Sequence, residues 1–124
     1  MSHRALLFAQ LVVVTVLAAI HIYALANYSY WVFPWLDIVS HLLGGIWAGL
    51  FSFWTAVKFG KAPNMLFCVS VVLALGISWE LFEALNGITN IASEMLDSLG
   101  DISMDILGGI SGVYAARLIS RSLP

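Results

Sequence analysis

The sequence predicts an all-α integral membrane protein: a four-helix bundle of two repeated transmembrane hairpins with both termini in the cytoplasm. Three observations carry that expectation. Hydrophobic residues make up 61% of the 124 positions and charged residues 10%, with a mean hydropathy of +0.97, whereas soluble domains carry about 25% charged residues. Four stretches are apolar over the length that a hydrocarbon core of about 30 Å demands, about 20 residues at about 1.5 Å each. The five Lys and Arg all gather on one side once four spans are drawn.

Residues 1–124 form a single transmembrane domain with spans at 5–26, 36–57, 65–85 and 102–119. The first follows Arg4 and ends at Ala24-Leu25-Ala26, a small-x-small pattern that also suits signal cleavage. Its apolar stretch is long for a signal core and contains His21, so it reads as a retained helix. The run Tyr28, Tyr30, Trp31, Phe33, Trp35 follows, where an interfacial aromatic belt belongs. Lys58 and Lys61 close the second span, and Arg117 and Arg121 close the fourth. The positive-inside rule puts these ends in the cytoplasm of a bacterial-type inner membrane. Between the third and fourth spans, Ile88, Ile91, Ala92, Met95, Leu96 and Leu99 recur at helical spacing. They predict a short amphipathic helix over 88–99, lying on the outer surface.

Composition excludes whole classes of function. Five basic residues against seven acidic ones leave no footprint for nucleic acid. The single cysteine, Cys68, excludes an internal disulfide. Membrane lipids are the partners this composition implies.

An internal repeat stands out. Asp37-Ile-Val-Ser-His41-Leu-Leu-Gly44-Gly45-Ile46 matches Asp101-Ile-Ser-Met-Asp105-Ile-Leu-Gly108-Gly109-Ile110 at six of ten positions, 64 residues later. Read as a duplication, it makes spans one-two and three-four parallel copies about an axis normal to the membrane. Gly45-x3-Gly49 and Gly108-x3-Gly112 then place small residues where backbones can approach. These faces serve either packing within the chain or a homodimer.

The acids cluster. Asp37 and His41 share a helix face, as do Asp101 and Asp105, and Glu80 and Glu83 share another. All lie toward the outer ends of their helices, with His21 and Trp79 as further pocket candidates. No Lys or Arg occurs between Ala5 and Val57 or between Ala62 and Ala116. Carboxylates this close need a compensating cation or shared protons. A divalent metal (Mg, Mn, Zn or Fe) held by Asp37, His41, Asp101 and Asp105 is the first reading. Proton-sharing carboxyls are the second, and acids that merely cap helix ends at the aqueous rim are the third.

These motifs carry a resemblance. Asp37-x3-His41-x2-Gly44, Trp79-Glu80-x2-Glu83 and Asp101-x3-Asp105 with Gly112 beyond resemble the YjdF-like family of small inner-membrane proteins. They are more loosely similar to the VanZ-like family. The resemblance spans 37–112, with Gly109 where the family pattern has Asn. It implies a multi-helix membrane bundle and no particular reaction.

The functional expectation is an outward-facing metal pocket acting on a lipid head group as a hydrolase or transferase. Glu80 or Glu83 is the general base there. A cation or proton carrier, and a non-catalytic subunit binding a partner or lipid, are the alternatives.

Overall fold

The computed structural model describes residues 3–90 and 92–122. These residues form five helices: α1 (His3–Ala26), α2 (Ser29–Val32), α3 (Trp35–Lys58), α4 (Met65–Leu85) and α5 (Met95–Ser122). All but α2 are long and apolar enough to cross a membrane.

Local chemistry explains the boundaries. Pro34 precedes α3, where its missing N–H costs nothing because the first helical donors have no intrahelical partner. Asp37 follows in the first turn, where a carboxylate meets the favourable end of the helix dipole. Asn64 caps α4, its side-chain oxygen accepting from the Phe67 N–H at 2.7 Å, a contact worth about 1 kcal/mol. The α1–α3 connection winds into the single turn α2, entered through Tyr28 in the left-handed region at φ 55°.

The fourth span differs from expectation. Among the described residues of 88–99 no separate amphipathic helix forms; Ile91 lies outside them. Gly87, at φ +69°, turns the chain out of α4. Asn90 then builds a tight turn: its backbone N–H donates to a Glu94 carboxylate oxygen at 2.8 Å and its side-chain oxygen accepts from the Ala92 N–H. Met95 to Leu99, expected in that separate helix, are instead the first turns of α5. Nothing between them and Asp101 stops a helix: there is no proline, and Gly100 costs only about 1 kcal/mol relative to Ala in a helix interior.

The centre of the bundle is the α3–α5 pair, with α1 against α3 and α4 against both α5 and α3. Two glycines show why α3 and α5 approach so closely. A Cβ on Gly45 would run into the Asp105 carbonyl, and one on Gly108 into the Leu42 carbonyl. Gly49 meets Gly109 one turn further along, so the two helices run parallel. Gly76 faces Asp105 while Val72 faces Gly109, so α4 runs antiparallel to α5. These glycine faces pack inside one chain, and Gly44 has open space beside it.

The interior has two halves. Leu6, Leu50, Phe53, Cys68, Val113 and Ala116 make a dry core toward the basic end. His41, Glu80, Ser98, Asp101 and Asp105 fill the other half, all buried.

Candidate metal centre

His41 organises the acidic half. It sits on α3 one turn beyond Asp37, on the same face, and its ring is buried between α3 and α5. Its two nitrogens meet different partners. Nδ1 lies 3.2 Å from Asp105 Oδ1. Nε2 lies 3.8 Å from Asp37 Oδ1 and 3.7 Å from Asp101 Oδ2. Asp101 and Asp105 reach the same ring because they are four apart on one face of α5. Among the described residues, every carboxylate ion pair converges on His41.

The contact with Asp105 assigns the tautomer. Where Asp105 is a carboxylate it only accepts, and Nδ1 then carries the hydrogen and donates it. Nε2 then turns a lone pair toward two carboxylates unless a cation or a proton lies between. The separations of 3.7 and 3.8 Å are too long for a hydrogen bond. They fall within the about 4 Å that two atoms bound to one metal at about 2.0–2.2 Å can span. Ligand atoms of Asp37, His41 and Asp101 all lie within 4.8 Å of one another. These three side chains can hold a metal ion.

The expected ligand set is thereby divided. Asp105 lies behind the imidazole, on the nitrogen facing away from Asp37 and Asp101. That is the usual station of a carboxylate that orients a metal-binding histidine. Gly76 makes this possible: a Cβ there would stand 2.6 Å from Asp105 Oδ2. Asp37, 43% exposed, forms the mouth of the site, whereas Asp101 is 10% exposed and inside.

Glu80 enters from α4 and is 4% exposed. Neither of its carboxylate oxygens has a hydrogen-bond partner, though it interacts electrostatically with Asp101 and Glu83. A buried carboxyl left unpaired costs several kcal/mol. Ser98, which sequence reasoning passed over, is buried with its hydroxyl also unpartnered. It is three residues before Asp101 on the same face of α5, and with Glu80 it borders a cavity of about 180 Å³ between α4 and α5. Glu83 is half-buried one turn further out and accepts from the Thr89 hydroxyl at 3.4 Å. Trp79 stands away from His41, its ring edge-on to His21 with centroids 6.4 Å apart. His21 itself bonds to the Tyr30 hydroxyl at 2.7 Å and joins none of the three ligands.

The chain matches no family model, no curated protein and no solved structure.

Proposed function

We propose that the chain is a multi-pass inner-membrane metalloprotein whose Asp37–His41–Asp101 centre faces the outer leaflet. In this reading it acts on phosphate-bearing lipid head groups as a hydrolase or transferase. The observation that carries it is the division of the His41 ring, with Nδ1 held by Asp105 and Nε2 aimed between two carboxylates. Three protein ligands leave coordination positions open, as catalytic centres do and closed structural sites do not. Asp37 at the mouth supplies the access.

Asp37, His41 and Asp101 would hold a divalent ion, which would supply Lewis acidity and would lower the pKa of a bound water. The chain does the rest. Asp37 and Asp101 neutralise the ion, and Asp105 fixes the ring and raises its basicity. Glu80, buried with neither oxygen hydrogen-bonded, interacts electrostatically with Asp101 and serves as the general base, with the half-buried Glu83 as the alternative. Exposed Tyr28, Trp31 and Trp35 ring the same end of the bundle, at the level where aromatic belts meet lipid head groups. The basic residues at the opposite end support this orientation.

Metal analysis of the detergent-purified chain tests the centre, with thermal unfolding in chelator and then in Mn, Mg, Zn or Fe(II). A ligand at about 100 times its Kd adds about 2.7 kcal/mol of stability. One of these metals should raise the Tm, Asp101→Asn should abolish the rise, and Glu94→Gln in the turn should preserve it. If no metal co-purifies and none moves the Tm, the metal reading fails and shared protons account for the cluster. Release of a phosphate-bearing head group from mixed lipid vesicles tests the reaction. Its absence from metal-loaded protein would leave a binding protein.

A further inference from the structure

Glu80 and Ser98 come from different helices to the wall of one cavity. On α4, Ile77, Glu80 and Leu81 share a face; on α5, Met95, Ser98 and Leu99 do, again three and four apart. Between these faces lies a space of about 180 Å³. Ile77, Leu81, Met95 and Leu99 are 42 to 56% exposed. In a spanning bundle such a surface meets acyl chains, so the cavity is reached sideways from the lipid. Its two polar residues are 4 and 7% exposed. Among the described residues, neither Glu80 oxygen has a hydrogen-bond partner, nor has the Ser98 hydroxyl. Two facing orphans on one cavity are unusual, because buried polar groups are nearly always paired.

We propose that this cavity binds the hydroxyl end of a single-chain lipid alcohol, held between Glu80 and Ser98. The site uses none of the three metal ligands and stands whether or not a metal is bound.

Chemistry, depth and size each narrow the occupant. A carboxylate only accepts, whereas a serine hydroxyl has a hydrogen to give as well as lone pairs. One alcohol group answers both, its O–H donating to Glu80 and its oxygen accepting from Ser98. A protonated Glu80 would donate to the same oxygen, so the pairing does not depend on that proton. An ammonium has no lone pair for the Ser98 hydrogen. Glu80 lies five residues before the end of α4, about 7.5 Å along the helix. A charged head group drawn to that depth loses its hydration, which costs far more than desolvating a hydroxyl. A cavity of about 150 Å³ takes a benzene-sized molecule, so this one admits a single chain end and not two acyl chains together. Water is the competitor, since it could bridge the same two groups.

Met95 on the cavity wall supplies the reporter, one of four methionines in the sequence. Carbon-13 methyl NMR of the full chain in phosphatidylcholine nanodiscs, with chelator present, follows a titration with decanol. The Met95 signal should shift and saturate, while Met65, packed against the dry core at the other end, should stay still. Decane and decylamine should each bind more weakly than decanol. Ser98→Ala should weaken decanol binding about 2- to 10-fold, the worth of one hydrogen bond, and leave decane unchanged. Should that variant not fold, Leu99→Trp, at a half-exposed position of the wall, should fill the space and abolish the Met95 response. Decane binding as tightly as decanol would leave only an apolar groove and overturn the hydroxyl site. Tighter binding of decylamine would overturn the choice of an alcohol. A Met95 signal that never saturates would mean a cavity that water occupies or that lipid does not reach, and the proposal fails.

Discussion

His41 Nδ1 and Asp105 Oδ1 lie 3.2 Å apart across the α3–α5 interface, and the two residues are 64 positions apart in the chain. They occupy the same place in the two similar ten-residue segments. Asp37 and Asp101, also 64 apart, flank the other nitrogen at 3.8 and 3.7 Å. Two parallel helices related by a duplication would bring matching residues to a common axis in this way. His41 and Asp105 hold the fifth position of the two segments, so a histidine meets an aspartate there rather than a like charge.

Asp105→Asn should weaken divalent-metal affinity about 10- to 100-fold, the usual effect of losing a carboxylate behind a ligating histidine. A chelator competition titration measures it. Asp37→Asn and Asp101→Asn should cost more, because each removes a ligand. Equal affinity in wild type and Asp105→Asn would show that the carboxylate does not act through the ring.

Gly108→Ala should destabilise the bundle by about 1–3 kcal/mol, the range for overpacking a close contact, because its Cβ would meet the Leu42 carbonyl. Gly44→Ala, with nothing within 4 Å of the added atom, is the control and should be near neutral. Reversible unfolding in mixed detergent gives both values.

Tyr30 lies in the connection outside the four spans, and burial holds its hydroxyl above the ordinary 10.0. The Ser40 hydrogen bond lowers it in part, and Asp37 and Glu83 raise it further. The folded state therefore keeps the Tyr30 proton to higher pH than the unfolded chain does. Its contribution is whole below the ordinary value and lost as pH rises through the raised one. Absorbance titration should show one late-ionising tyrosine, missing in Tyr30→Phe, and the variant should lose less stability between neutral and strongly alkaline pH.

Reporter fusions at Pro124 and in the 86–94 turn should report opposite compartments, with Pro124 cytoplasmic. Arg4, Lys58, Lys61, Arg117 and Arg121 all favour one side. Both fusions on the same side would sink the proposed orientation and the outward-facing site.

Spans and faces were legible because they are local properties. Apolar length marks a helix that can cross a membrane, and a spacing of four puts Asp37 with His41, and Asp101 with Asp105, on shared faces. The α4 boundaries agree with the expected 65–85 for the same reason, with Asn64 as the cap. The start of α5 was not legible. Apolar periodicity runs continuously through Gly100, and the stop lies in turn hydrogen bonds around Asn90 that hydropathy does not register.

The sequence by itself determined which residues share the acidic half of the bundle; the tertiary structure decided what each one does there. The rotation of α5 against α3, set by backbone contact at Gly45 and Gly108, chose which His41 nitrogen Asp105 would reach. It thereby separated Asp105 from Asp37 and Asp101. The packing of α4 buried Glu80 without a hydrogen-bond partner, and the fold of α2 tied His21 to Tyr30 instead of to the acids. A linear pattern fixes the face of a helix on which a side chain stands. The distance between side chains on different helices follows from how closely their backbones approach, and in this bundle the glycines set that approach.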